Sequence, residues 1–478
     1  MTNPYLEGHF APLHEEYTLT DLEVDGTIPD YLDGRYVRNG PNAIGELDPR
    51  RHHWFLADGM VHGLRIRDGR AEWYRNRWVH GPQVARALGE RPRSSRCGTL
   101  PIGANTNVIG HAGKTLAVME AGAAIYQLTD ELETVGVCDF GGTLTGGYTG
   151  HPKRDPETGE LHGVSHSPFR GDRVQYSVIG VDGRVRRTVD IEVAGGPMMD
   201  NLSLTERYVV FYDLPVTFDA RRGAALMMPP GLRLPTRLLL SAMVGRVRIP
   251  GPFSSRPLRS KLNDHPFPYS WNPKHPARIG VMPREGSNAD IRWFDVEPCF
   301  VFHPMNAYDD GDTIVIDVVR HPKVFDRNCL GPTEGPATLD RWTVDLADGK
   351  VRESRFDDRG QEFPRIDERL FGKRHRYGYA PVGEIAFGDT LLKHDFLRNN
   401  TQSRCLGAGK AVGEFIFHPS SADAAEDDGV LLGYVYDRST DRSELAILDA
   451  QTLEHVASIK LPHRVPAGCC GSWVPTGR

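Results

Sequence analysis

Four short segments carry side chains able to ligate a metal or move a proton, each beside glycine or proline. Gly150-His-Pro-Lys places an imidazole at His151, and Phe302-His-Pro-Met-Asn places another at His303. Pro197-Met-Met-Asp-Asn offers the carboxylate of Asp200, and Pro466-Ala-Gly-Cys-Cys-Gly offers thiols at Cys469 and Cys470. Imidazole is a versatile ligand for first-row transition metals, carboxylate suits harder ions, and a thiolate is both nucleophile and ligand. Each also has an inert reading: a free cysteine is often a small core filler, and aspartate or proline beside glycine is common in turns.

Bringing residues so far apart in the chain to one point demands a rigid frame, and the sequence reads as β-structure throughout. Val185, Val189, Ile191 and Val193 alternate with Arg186, Thr188, Asp190 and Glu192, the period of two of a half-buried strand. Val181-Asp-Gly183 just before them supplies a hairpin turn. Comparable strand, turn, strand blocks start at Ile125, Arg341 and Ala446. Short strands scattered over the whole chain, without long helical periodicity, predict a closed all-β architecture. A β-propeller fits, because radial repetition of small sheets limits exposed edges.

Bulk properties narrow the function classes. A chain of 478 residues with a formal charge of −6 and a pI near 6.3 has no general pull toward nucleic acid. The N-terminus, Met1-Thr-Asn-Pro-Tyr, lacks the basic start and apolar core of a secretory signal. No apolar run reaches the roughly 20 residues that span a bilayer. Seven cysteines, odd in number and mostly isolated, argue against a disulfide framework, so a cytoplasmic address is expected.

In order, spacing and flanks, the four segments resemble those of the carotenoid cleavage oxygenase family, which includes carotenoid, apocarotenoid and lignostilbene dioxygenases. The resemblance runs nearly end to end. It continues in Gly34-Arg-Tyr-Val-Arg-Asn-Gly-Pro-Asn42, His53-Trp-Phe-Leu-Ala-Asp-Gly-Met-Val-His62, Asn105-Thr-Asn107, Arg278-Ile-Gly-Val-Met-Pro-Arg284, Glu362-Phe-Pro-Arg-Ile-Asp367 and Glu426-Asp-Asp-Gly429. It implies one domain over 1–478: a seven-bladed β-propeller, with loops and short helices capping the top face around an apolar tunnel. It also implies a non-haem Fe(II) held by four histidines, and O2-dependent cleavage of a C=C bond in an apolar substrate. Here only the first and third histidines are present, as His151 and His303. Asp200 and Cys470 stand where the second and fourth would be.

Two readings of that departure stay open. His151, Asp200 and His303 would make a two-histidine, one-carboxylate iron set, although an aspartate side chain is shorter than a histidine and metal bonds tolerate little slack. Cys470 is either a thiolate ligand or a filler of the space an imidazole left. Glu120, Glu362 and Glu426 fall where the family places carboxylates that orient the ligating rings. The alternative is a metal-free relative, with no cofactor, that performs acid/base chemistry with Asp200, Glu120 and Cys470 or only binds its ligand. In that case Glu120 facing Asp200 would leave one of the two carboxyls protonated. Five further histidines, His162, His166, His375, His418 and His463, lie near the motifs and could compensate for a lost ligand, although such residues more often cap turns or face water.

Residues 220–263 hold nine Arg or Lys, no Asp or Glu, and the apolar run Leu238-Leu-Leu-Ser-Ala-Met-Val244. This is the composition of a segment that docks on a membrane surface, or of a lid or oligomer contact. Phe55, Tyr148, Tyr269, Trp271 and Trp293 are the candidates for lining the tunnel, although most aromatics are simply core. Met119 stands before Glu120, where phenol-directed lignostilbene enzymes carry lysine, which disfavours a hydroxystilbene and favours a carotenoid, apocarotenoid or other polyene.

Overall fold

The computed structural model describes residues 3–50, 52–91, 103–168, 170–244, 267–328, 330–331, 334–383, 387–468 and 470–476. Residues 245–263 of the basic and apolar segment, and Cys469, lie outside them. Seven antiparallel sheets follow one another as the blades of a propeller. The predicted turns are real: Gly183 takes φ 73° between Arg173–Ile179 and Val185–Glu192, and Gly349 takes φ 71° between Thr338–Asp345 and Lys350–Asp357. Only glycine adopts such angles without strain.

Blade I contains Gly34–Pro41, Gly59–Arg67 and Arg70–Trp78, and the C-terminal strand Gly471–Pro475 pairs onto Gly34–Pro41. Strand Val24–Gly26 pairs onto His455–Lys460 of blade VII, so both chain ends tie the ring shut. The first strands of blades II to VI are Asn107–His111, Lys153–Arg154, Leu202–Leu204, Pro304–Asp310 and Tyr377–Pro381; in blade VII Ile416–Pro419 takes that place. Several neighbours touch directly: Gly471–Pro475 meets Asn107–His111 and Ile416–Pro419, and Leu202–Leu204 meets both Lys153–Arg154 and Pro304–Asp310. They line the axis.

Between the blades the apolar faces close on one another, as with Trp342, Phe300, Phe211 and Tyr176, all essentially sequestered from solvent. Blade IV is interrupted between Tyr208–Asp213 and Arg278–Pro283. There the hairpin Val216–Phe218/Tyr269–Trp271 and the helices Ala220–Met227 and Arg233–Met243 project. Asp219 caps the first of these helices, accepting from Arg221 N and Arg222 N. Along the second, Leu234, Leu238 and Leu239 are each more than half exposed and only Leu240 is buried.

Candidate metal centre

Each of the four segments ends where the edge strand of a blade that lines the axis begins. His303 and Cys470 immediately precede Pro304–Asp310 and Gly471–Pro475, while His151 and Asp200 stand two residues before Lys153–Arg154 and Leu202–Leu204. Buried asparagines fix these entry points. Asn107 Nδ2 donates to Gly150 O at 3.1 Å, and Asn201 Nδ2 donates to Phe302 O at 3.2 Å, the carbonyls just before the two histidines. Their Oδ1 atoms accept from Val108 N and Leu202 N. Thr149 Oγ1 accepts from His151 N at 3.0 Å.

His151, His303 and Cys470 converge, with one ligand atom from each within 4.8 Å of the others. The two imidazole rings lie 4.8 Å apart between centroids and nearly perpendicular, and Cys470 Sγ is 3.5 Å from His151 Nδ1. His303 Nδ1 is bonded to Glu362 Oε2 at 2.7 Å, and Glu362 Oε1 to His321 Nε2 at 2.6 Å. Burial alone would raise the Glu362 carboxyl, but His303 and His321 hold it down at about 2, so it stays a carboxylate. It fixes the His303 ring so that Nε2 is the nitrogen offered to the axis. Burial, reinforced by His303, Lys153 and Arg365, keeps His151 well below the usual imidazole range and hence neutral, the form that ligates metal. Cys470 has φ 60°, an uncommon angle for a side-chain-bearing residue. Gly471 N anchors it by donating to Glu414 Oε2 at 2.6 Å, and Arg365 holds Glu414 at 2.8 Å while donating to Gly471 O. All three converging residues face an axial cavity of about 240 Å³ also lined by Lys153, Arg365 and Glu414.

Asp200 belongs to a second group, with Glu120 and His166. Its Oδ1 is 3.7 Å from His166 Nδ1, which bonds to Met199 O at 3.1 Å. Burial pushes the Asp200 carboxyl up to about 7 against the pull of His303; burial, not repulsion from Glu120, leads. Glu120 Oε1 accepts from Gly150 N at 2.6 Å and lies 3.8 Å from His151 Nε2. Of the two readings left open by the sequence, the set of His151, Asp200 and His303 is not the grouping the structure brings together. The thiol groups with the two histidines, and the carboxylate groups with Glu120 and His166.

Residues 10–475 match the family model described as RPE65, retinal pigment epithelial membrane protein. The chain is 53% identical over 491 residues to a carotenoid cleavage oxygenase of Mycobacterium tuberculosis, covering 99% of this chain and 98% of that protein. It is 31% identical to carotenoid 9,10(9',10')-cleavage dioxygenase 1 of Arabidopsis thaliana, covering 97% and 88%. This chain belongs to the RPE65/carotenoid cleavage oxygenase family. Among solved structures, Pseudomonas brassicacearum lignostilbene dioxygenase superposes with a TM-score of 0.81 at 25% identity, covering 99% of this chain and 98% of that one. Cobalt-substituted Synechocystis ACO gives 0.79 at 25% identity, covering 97% of each chain.

Members of the carotenoid cleavage oxygenase family are non-haem iron enzymes. The donors present here fit a metal ion in number and orientation, with two imidazoles set by neighbouring groups and a thiol at bonding reach.

Other expected residues of this family member fall elsewhere. Glu426 accepts from Arg376 N and Tyr377 N at 2.7 Å, at the start of blade VI; the carboxylate beside Cys470 is Glu414. Glu414 precedes Ile416–Pro419 by two residues, as His151 and Asp200 precede their strands, and that spacing was its available signal. Phe55 and Tyr269 join a cluster with His53, Phe267, Phe302 and Phe325 beside His303. Tyr148 instead is core, its hydroxyl donating to Leu161 O at 3.2 Å, and Trp293 lies under Arg278 at 4.2 Å. Trp271 is half-buried at the edge of the aromatic core, 5.9 Å from Lys323 Nζ. His162, His166 and His375 are buried and bonded rather than water-facing.

Proposed function

We propose that this chain uses O2 to cleave a C=C bond of an apolar carotenoid, apocarotenoid or related polyene into two carbonyl fragments, at a metal centre built on His151 and His303. The observation that carries the proposal is the convergence of His151 and His303 with a third donor while Glu362, bridged to His321, locks the His303 ring. Fe(II), when bound, supplies the O2 activation. The residues hold it, orient it and shield it: Glu362 aligns His303, Gly150 and Glu120 hold His151 from behind, and the blade cores exclude bulk water. The aromatic cluster of Phe55, Phe267, Phe302, Phe325 and Tyr269 supports an apolar substrate on the His303 side. Met119, buried in place of lysine, supports a polyene over a hydroxystilbene.

Anaerobically purified protein, reconstituted with Fe(II) and given an apocarotenal, is expected to take up O2 and yield two carbonyl fragments in equal amounts. Iron-loaded protein that consumes no O2 with any polyene offered contradicts the reading. The raised Asp200 carboxyl next to Glu120 favours one rival, metal-free acid/base chemistry. Conversion that survives chelation, without O2, would select it.

The helix Arg233–Met243 supports peripheral contact with a membrane surface, since Leu234, Leu238 and Leu239 are exposed alongside Arg233 and Arg237. Among the described residues no helix is long and apolar enough to cross a membrane. A cytoplasmic location, against the inner face of a membrane, is the proposed address.

A further inference from the structure

We infer that Cys470 is a thiolate ligand that retunes the family's centre toward thiophilic late d-block ions, of the zinc(II) and cobalt(II) type, in preference to iron(II). The inference deepens the proposed metal centre and rests on it. Its first support is a distance. With metal–nitrogen bonds of 2.0–2.1 Å and metal–sulfur bonds of about 2.3 Å, a nitrogen and a sulfur sharing one tetrahedral ion lie roughly 3.6 Å apart. Cys470 Sγ and His151 Nδ1 are 3.5 Å apart. The nitrogen facing the sulfur is Nδ1, while Nε2 of the same ring faces Glu120 Oε1 at 3.8 Å, the side from which a carboxylate orients a ligating histidine.

The second support is preorganisation. Cys470 is buried, and its φ of 60° is held on both sides of Gly471: its N donates to Glu414 and its O accepts from Arg365, the two being paired. A small core filler needs none of this. An aimed, backbone-fixed donor does. The third is the donor set. Asp200, the hard oxygen donor that would favour iron, sits instead with Glu120 and His166. What remains is two imidazoles and a sulfur, a softer set than four imidazoles. Binding exchanges the S–H bond for a sulfur–metal bond and releases one proton to solvent.

Cobalt(II) alone, titrated into metal-free protein, tests this by absorption. The expected result is a near-ultraviolet sulfur-to-cobalt charge-transfer band that saturates at about one ion per chain, as a single three-donor site requires. Zinc(II) should abolish the band by competition, and iron(II) should do so only at a large excess. Cys470→Ser should lose the band and bind cobalt on the order of 10–100-fold more weakly. Should that variant fail to fold, cobalt protection of Cys470 from iodoacetamide in the unaltered protein, mapped by peptide mass, replaces it. A cobalt complex without the band, a band that survives Cys470→Ser, iron(II) displacing cobalt at equal concentration, or no protection of the thiol overturns the inference. None of these readouts uses polyene turnover: failure to cleave would sink the proposed reaction and leave the thiolate assignment standing. Turnover by iron-loaded protein, together with a cobalt complex that lacks the band, would do the reverse.

Discussion

At the scale of single residues, the site departs from a four-histidine pattern in two ways with opposite consequences. Cys470 replaces an imidazole with a donor that still reaches His151, whereas Asp200 replaces one with a carboxyl that does not join the pair. Asp200 carries a titration consequence. Its folded value, about 7, lies above its unfolded value of 3.8 because burial penalises the anion. Folding is therefore unpenalised below pH 4, loses stability as pH rises toward 7, and stays at the lower level above it. Asp200→Asn should raise stability at pH 8 by on the order of 2–4 kcal/mol, with the gain shrinking toward pH 4. Denaturant unfolding at both pH values checks this; a gain that is equal at both contradicts it. Glu362→Gln removes the anion that aligns His303 and should weaken metal binding on the order of 10–100-fold, read by metal titration. His151 and His303 were legible through the resemblance of their segments, in order and flanks, to those of the family, since a lone His-Pro is common in loops. Glu414 was not, because several glutamates in the last third of the chain offer the same chemistry, and its spacing before Ile416–Pro419 becomes a signal only once that strand is placed beside Cys470.

The elements that set these residues are short edge strands that line the axis, each entered through a fixed turn. Gly471 shows how tight the closing entry is: a Cβ there would lie 2.6 Å from Tyr36 Oη. Gly471→Ala should cost roughly 1–3 kcal/mol by overpacking and displace Cys470, lowering thermal stability and metal affinity together. Unchanged metal affinity would show that the strand does not position the thiol. The helix Arg233–Met243 makes a separate prediction. Leu234→Glu with Leu238→Glu should leave unfolding within about 0.5 kcal/mol, because both side chains are exposed. The same pair should reduce cosedimentation with anionic vesicles. The hairpins starting near Ile125, Val181, Arg341 and Ala446 were readable from period-two alternation and glycine turns. The entry to the helix pair was not, since its basic and apolar composition fits a lid as well as a docking surface.

For the whole molecule, seven blades closed by both chain ends bring residues from distant segments to one axis. The blade count could not be read from hairpin spacing alone. Blade VI has three strands, and blade IV is split by the inserted hairpin and helices, so no constant repeat survives in the sequence. Ring closure also explains how the chain keeps its frame while two corners change: the asparagine and threonine bonds that fix the strand entries are made by residues other than the ligands. The most direct test of the centre is X-ray absorption at the metal edge of protein loaded anaerobically with iron(II). About one iron per chain, with imidazole nitrogen and a sulfur neighbour near 2.3 Å, is the predicted result. Iron ligated by nitrogen and oxygen alone would contradict a centre made by His151, His303 and Cys470.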